Sequence, residues 1–311
     1  MKDRIYIQEV GVRDGFQSEP VFIPTETKVA LIDKLSETGL AKIEVTAFVS
    51  PKAVPAMRDA ADVMMRIKRV PHVIYTALVP NARGAEAAIA GKADEINIFM
   101  SASESHNLAN VNKSTDASFV AFKEVMAVVE GTSVSVNGTV STSFGCPFEG
   151  DVDPERVIGF ISRYLDLGVA GVTLADTTGM ANPAQVRALV DKVYRQFPSI
   201  DLTLHFHNTR GMGLANVIAG LDRGCRRYDG SLGGLGGCPF APGATGNICT
   251  EDLVHMLWSM SYDTGVDLDS LIAASRELPD IVGHDVPGQV RKAGKYTALH
   301  SFADAKRATG K

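Results

Sequence analysis

Leu202-Thr203-Leu204-His205-Phe206-His207-Asn208 reads as a β-strand, with apolar and β-branched residues leading into two histidines. Side chains alternate faces on a strand, so His205 and His207 point one way and Phe206 the other. Same-face neighbours lie about 7 Å apart, close enough for two imidazoles to lean onto one divalent cation. The pair also reads as two polar residues at a strand end. A helical pattern follows near 211–223, and another strand near 227–232.

That strand-helix alternation extends along the chain. Further strands are expected near 5–10, 42–48, 72–79, 94–100, 133–141 and 170–175. Helices are expected near 25–38, 52–69, 81–91, 114–130, 153–167, 182–197 and 250–261. Ser50-Pro51 supplies a cap and a first-turn proline, and Glu251-Asp252 sit where a helix N-terminal dipole wants acids. Eight such units fit a (β/α)8 TIM barrel over residues 1–262, with extra C-terminal helices over 263–311, all in one domain. A doubly wound sheet would want Gly-x-Gly-x-x-Gly after the first strand. Val10-Gly11-Val12-Arg13-Asp14-Gly15 does not supply it.

Composition bounds the function. Hydrophobic residues make up 45% and charged residues 22%, ordinary for a globular protein. A net charge of −5 gives no global basic field for nucleic acid. No signal peptide or long apolar span is visible, so no membrane partner is expected. Cys146, Cys225, Cys238 and Cys249 show no Cys-x-x-Cys spacing, which argues for reduced thiols and a cytoplasmic setting. Cys146, Cys225 and Cys249 read as packing thiols.

In a barrel, chemistry gathers at the C-terminal ends of the strands. There strand one places Asp14, a hard oxygen donor able to join His205 and His207, and Arg13, a planar fork of donors. The two also read as a surface ion pair before a glycine turn. Glu44 on strand two needs a partner if it points inward, and Arg13 is the obvious one; facing outward, it would simply be solvated. The run from Ser101 to Asn112 reads as a polar loop, and His106 within it gives no indication of a metal. Asp176 ends strand six, where it could bind a substrate hydroxyl, orient a ligand histidine, or open the next helix as an Asx-turn.

After strand eight, six glycines fall among residues 233–246. This loop lacks a P-loop ending, so nucleotide phosphate is not indicated. It carries Cys238, a candidate acid that swings in over the site, or an incidental thiol. Asn247 closes the loop and could give its carbonyl oxygen to the cation.

Several of these motifs together resemble 3-hydroxy-3-methylglutaryl-CoA lyase. They are Glu9 through Gln17; Glu44 with Phe48-Val49-Ser50-Pro51-Lys52; Gly145-Cys146-Pro147-Phe148-Glu149-Gly150; His205-x-His207; and the Gly-Gly-Leu-Gly-Gly-Cys-Pro loop through Asn247 into Thr250-Glu251-Asp252. The resemblance implies that Asp14, His205, His207 and Asn247 hold one Mg²⁺ or Mn²⁺. It implies that Arg13 stabilises the enolate of departing acetyl-CoA and that Cys238 protonates it. Gln17, Glu44 and Asp176 would shape the site. An acyl-CoA substrate, products acetyl-CoA and acetoacetate, and a homodimer are implied with them. Asn208, Arg210, Ala175 and Thr173 depart from the family's Asp, Tyr, Gly and Ser. The reaction class survives these changes, while the acyl group is left open, with Thr173 and Arg210 as candidate substrate contacts.

The chemistry asks for the same parts. Cleaving a tertiary β-hydroxy thioester requires a cation to ease loss of the hydroxyl proton, a positive group at the enolate oxygen, and a proton donor for the enolate carbon. His205, Asp14 and a bound water are all open as the hydroxyl's base. A Claisen-type synthase or keto-acid aldolase on the same barrel would share Arg13, Asp14 and the histidine pair without needing the cysteine loop.

Overall fold

The computed structural model describes residues 3–237, 246–299 and 301. Eight parallel strands close in sequence order into a barrel: β1 (Tyr6–Glu9), β2 (Lys42–Ala47), β3 (Ile74–Leu78), β4 (Glu95–Ser101), β5 (Ser135–Ser141), β6 (Gly171–Asp176), β7 (Leu202–Phe206) and β8 (Arg227–Gly230). The closing pair sets Tyr6 opposite Arg227 and Glu9 opposite Gly230. The expected (β/α)8 architecture is the observed one.

Between and after the strands run α1 (Thr25–Ser36), α2 (Ala60–Arg66), α3 (Ala82–Ala90), α4 (Glu104–Val111), α5 (Thr115–Val129), α6 (Pro154–Leu167), α7 (Pro183–Gln196), α8 (Gly213–Leu221) and α9 (Thr250–Ser259). Beyond them, α10 (Leu268–Arg276), α11 (Leu278–Val282) and α12 (Val290–Ala293) form the C-terminal layer. α10 packs on α1 and α9. None of the described helices is long and apolar enough to cross a membrane.

Alternation along each strand sorts the side chains. Ile7, Ile43, Tyr75, Ile96, Val172 and Leu204 face outward and are buried against the helices. The inward positions are mostly polar: Gln8, Glu44, Asn97, Asn137, Thr173 and Asp229 all line a cavity of about 440 Å³. These groups satisfy one another. Gln8 donates to Thr203 Oγ1 at 3.1 Å, and Asn137 donates to Asn97 Oδ1 and Thr173 Oγ1, both at 3.0 Å. A barrel interior is usually filled with branched apolar side chains; this one is open and polar. Gly138 shows how tightly the outer layer packs, since a Cβ there would sit 2.7 Å from the Tyr164 ring.

Two local expectations change, and a third gains contacts. The helix expected over 52–69 is only α2, preceded by a short turn at Pro55–Met57. Val54 precedes a proline and is held at φ −132°, ψ 80°, outside the helical region. The polar loop over 101–112 contains α4, started by Ser103, whose Oγ accepts from the His106 amide at 3.2 Å, and ended by Asn112 in the left-handed region. Glu251 and Asp252 reach beyond their own helix: Glu251 accepts from Gly233 N at 3.0 Å and Asp252 from Val290 N at 2.7 Å.

Candidate active site

A π-helical turn, Gly11–Gly15, follows β1 and aims Arg13 and Asp14 over the barrel mouth. Glu9 braces that turn. Its carboxylate accepts from Gly11 N at 2.6 Å, Leu232 N at 2.8 Å and Thr250 Oγ1 at 2.6 Å, tying β1 to the segment after β8 and to α9. Burial pushes the Glu9 carboxyl up to about 7, against those hydrogen bonds.

Asp14, His205 and His207 converge, with one donor atom from each lying within 4.8 Å of the others. His207 Nε2 stands 4.0 Å from Asp14 Oδ2, too far for a hydrogen bond and wide enough for a cation between them. Burial and the neighbouring His205 hold His207 down to about 3, so its ring is neutral and its lone pair available. Its Nδ1 is buried without a hydrogen-bond partner among the described residues. His205 Nδ1 lies 3.0 Å from Asp229 Oδ2, and although burial opposes charge on the ring, this contact raises its pKa. Burial likewise opposes the Asp14 charge, but Arg13 and the two histidines hold the carboxyl below its usual range. One carboxylate and two imidazoles with available lone pairs fit a divalent cation.

The Asn247 side chain lies beside them and donates from Nδ2 to Asp14 Oδ2 at 2.7 Å and to Leu235 O at 3.0 Å. To offer oxygen instead, the amide must turn and release the Leu235 carbonyl. Gly236 closes over this pair at φ +98°; a Cβ there would fall 2.7 Å from Asn247 Nδ2 and 2.9 Å from Asp14 Oδ2.

Arg13 has the inward partner expected of it. Its guanidinium engages Glu44 through Nε and a terminal nitrogen, and Asp14 Oδ1 at 2.7 Å. Burial opposes its charge, and the two carboxylates more than compensate. Glu44 also accepts from Asn97 Nδ2 at 3.2 Å.

Arg13, Asp14, Gln17, Glu44, Thr173, His205 and His207 all border the same cavity. Asp176 and Arg210 are not among its lining residues. Asp176 Oδ1 accepts from Met180 N at 2.7 Å and Ala181 N at 3.0 Å, farther along than the two residues of an Asx-turn, while Asn182 caps the next helix; burial raises the Asp176 pKa to about 6. The carboxylate in contact with His205 is that of Asp229. Arg210 donates to the carbonyls of Thr178 at 3.1 Å and Gly179 at 2.9 Å, so its charge is engaged by the loop after β6. Cys238 lies outside the described residues. Cys146, Cys225 and Cys249 are buried, in keeping with packing roles.

With this geometry in view, the sequence profile of the HMGL-like family matches residues 4–278. The chain belongs to the HMGL-like family. Within that family it is 46% identical over 286 residues to hydroxymethylglutaryl-CoA lyase YngG of Bacillus subtilis, covering 92% of this chain and 96% of that one. It is 42% identical to the mitochondrial hydroxymethylglutaryl-CoA lyase of Rattus norvegicus, covering 93% and 89%. An HMG-CoA lyase from Acinetobacter baumannii, solved with coenzyme A and 3-methylmalate, superposes with a TM-score of 0.94 at 50% identity, covering 96% of this chain and 98% of that one.

Sequence reasoning missed three parts of this HMGL-like site. Asp229 was legible in principle, because its alternation with apolar Tyr228 marks a charged residue facing the barrel axis. His106 lines the cavity from α4, its Nδ1 2.7 Å from Ser101 Oγ, but a polar stretch read as loop gave no inward face. The Glu9 brace depends on contacts with residues 232 and 250, which no local pattern indicates.

Proposed function

We propose that this chain is a divalent-metal-dependent carbon-carbon lyase that cleaves 3-hydroxy-3-methylglutaryl-CoA to acetyl-CoA and acetoacetate. The observation that carries the reading is the Asp14, His205 and His207 cluster beside Arg13 at the mouth of a polar cavity, in a chain 46% identical to a named lyase of this kind.

Asp14, His205, His207 and Asn247 would hold Mg²⁺ or Mn²⁺. Bound there, such an ion supplies a positive centre that lowers the pKa of a coordinated hydroxyl. The protein's own residues do the rest. As the carbon-carbon bond breaks, the hydroxyl carbon becomes the ketone of acetoacetate, and the bonding pair becomes the thioester enolate of acetyl-CoA. Arg13 faces that enolate oxygen as a fixed positive charge. Its Nε is committed to Glu44, and its two terminal nitrogens retain N–H groups for the substrate. Glu44 and Asp14 hold the plane of the guanidinium before substrate arrives. The hydroxyl proton passes to a base at the cation cluster, and the enolate carbon takes its proton from the Cys238 thiol on the glycine loop. Gln17 and Thr173 border the cavity as acyl-CoA contacts. Asp176 and Arg210 shape the site by fixing the loop after β6.

We treat residues 1–262 as the catalytic barrel and 263–311 as its helical extension within one domain. The assembly in this reading is a homodimer and its compartment the cytoplasm; light scattering and cell fractionation check each. The substrate test is a panel of 3-hydroxyacyl-CoA thioesters with Mn²⁺ present. The reading expects fastest acetyl-CoA release from 3-hydroxy-3-methylglutaryl-CoA. No release from any member of the panel would remove it.

A further inference from the structure

We infer that Asp229 is a positioning residue: it fixes the tautomer and tilt of His205, so that Nε2 is the nitrogen this ring presents to a cation. The inference rests on the metal-dependent reading above.

The phase of β8 places Asp229 in the barrel. Tyr228 faces outward, its hydroxyl 3.3 Å from Val217 O and 3.2 Å from Cys225 O, which locks the alternation. Register does the remainder. Thr203 pairs with Arg227 and Leu204 with Tyr228, which brings the next residues, His205 and Asp229, side by side on the inner face. Both are buried, at 7% and 8% exposure.

A carboxylate only accepts hydrogen bonds, so the 3.0 Å contact of Asp229 Oδ2 with Nδ1 places the ring proton on Nδ1. Nε2 then carries the lone pair. The opposite tautomer would aim an N–H at the cation and leave Nδ1 lone pair against carboxylate. Asp229 is not one of the three residues of the converging cluster, so it acts through His205 and not as a ligand.

The two histidines differ in this respect. His207 has no hydrogen-bond partner at Nδ1 among the described residues. Its position is set by the backbone, through its bridge to Asn247 and its amide's 3.3 Å hydrogen bond to Asp176 O. Of the two imidazoles, then, His205 is the one oriented from behind by a carboxylate.

The test is ¹⁵N NMR of histidine-labelled, metal-free protein, with Mn²⁺ titrated calorimetrically into wild type and Asp229→Asn. The wild type should show the His205 proton on Nδ1. In Asp229→Asn that preference should be lost and Mn²⁺ affinity should fall by about 10–100-fold. A merely structural role would lower the melting temperature and leave tautomer and affinity unchanged, which would overturn the assignment. If Asp229→Asn does not fold, the wild-type tautomer decides: a proton on Nε2 refutes the inference. Neither readout needs turnover, so a chain that fails to cleave the proposed thioester would leave this test intact.

Discussion

Asn247 donates to Asp14 Oδ2 across 2.7 Å, joining the turn after β1 to the segment after β8. The two residues are 233 positions apart and meet only because the barrel closes β8 onto β1. Asn247→Ala removes a donor atom from the cluster and leaves the three others in place. It is expected to weaken Mn²⁺ binding by about tenfold or more, an order of magnitude corresponding to roughly 1.4 kcal/mol. Calorimetric titration of Mn²⁺ into both proteins measures this, and equal affinities would remove Asn247 from the ligand set.

Arg13→Lys keeps the charge and loses the planar fork that Glu44 and Asp14 grip. Loss of a pre-placed group at a developing oxyanion costs about 10²–10³ in rate. Steady-state kinetics should show a fall of that size in kcat with KM changed far less. An unaffected kcat would mean that Arg13 does not face the enolate.

Cys238→Ser replaces a thiol with a far weaker acid. Turnover should fall by about 10² or more, the range for loss of a general acid, while Mn²⁺ affinity stays at the wild-type value. Undiminished turnover would take the loop thiol out of the mechanism.

Glu251 predicts a pH dependence of stability. Burial pushes its carboxyl from 4.5 up to about 8. A raised carboxyl binds its proton more tightly in the folded chain than in the unfolded one. Its contribution is therefore best below about pH 4.5, and stability declines as pH rises through the window up to about 8. Glu251→Gln should flatten that decline, by a difference on the order of a few kcal/mol between the two ends. Urea unfolding at pH 5 and pH 8 reads it; parallel slopes for the two proteins would contradict the assignment.

Much of this was legible in the sequence. Short apolar, β-rich runs set between longer helical patterns located the eight strands, because each strand buries an outer face against the helices. Barrel logic then sorted Asp14, Arg13, Glu44 and the histidine pair to one rim, where they meet. The failures have local causes. Pro55 interrupts an amphipathic run that looked continuous from 52 to 69, and Ser103 with Asn112 caps a helix in a stretch that composition alone made a loop. Arg210 looked like a rim cation; its engagement by two backbone carbonyls depends on the shape of a neighbouring loop. Thr173 and Ala175 share the inner face of β6, so Asp176 pairs with outward Phe206, and the β7–β8 register shows that it is Asp229 that reaches His205.

The most direct measurement is acetyl-CoA and acetoacetate formation from 3-hydroxy-3-methylglutaryl-CoA by EDTA-stripped protein, before and after Mn²⁺ is restored. The account predicts no cleavage by the stripped protein and full recovery with Mn²⁺. Undiminished cleavage by protein shown to be metal-free would contradict it.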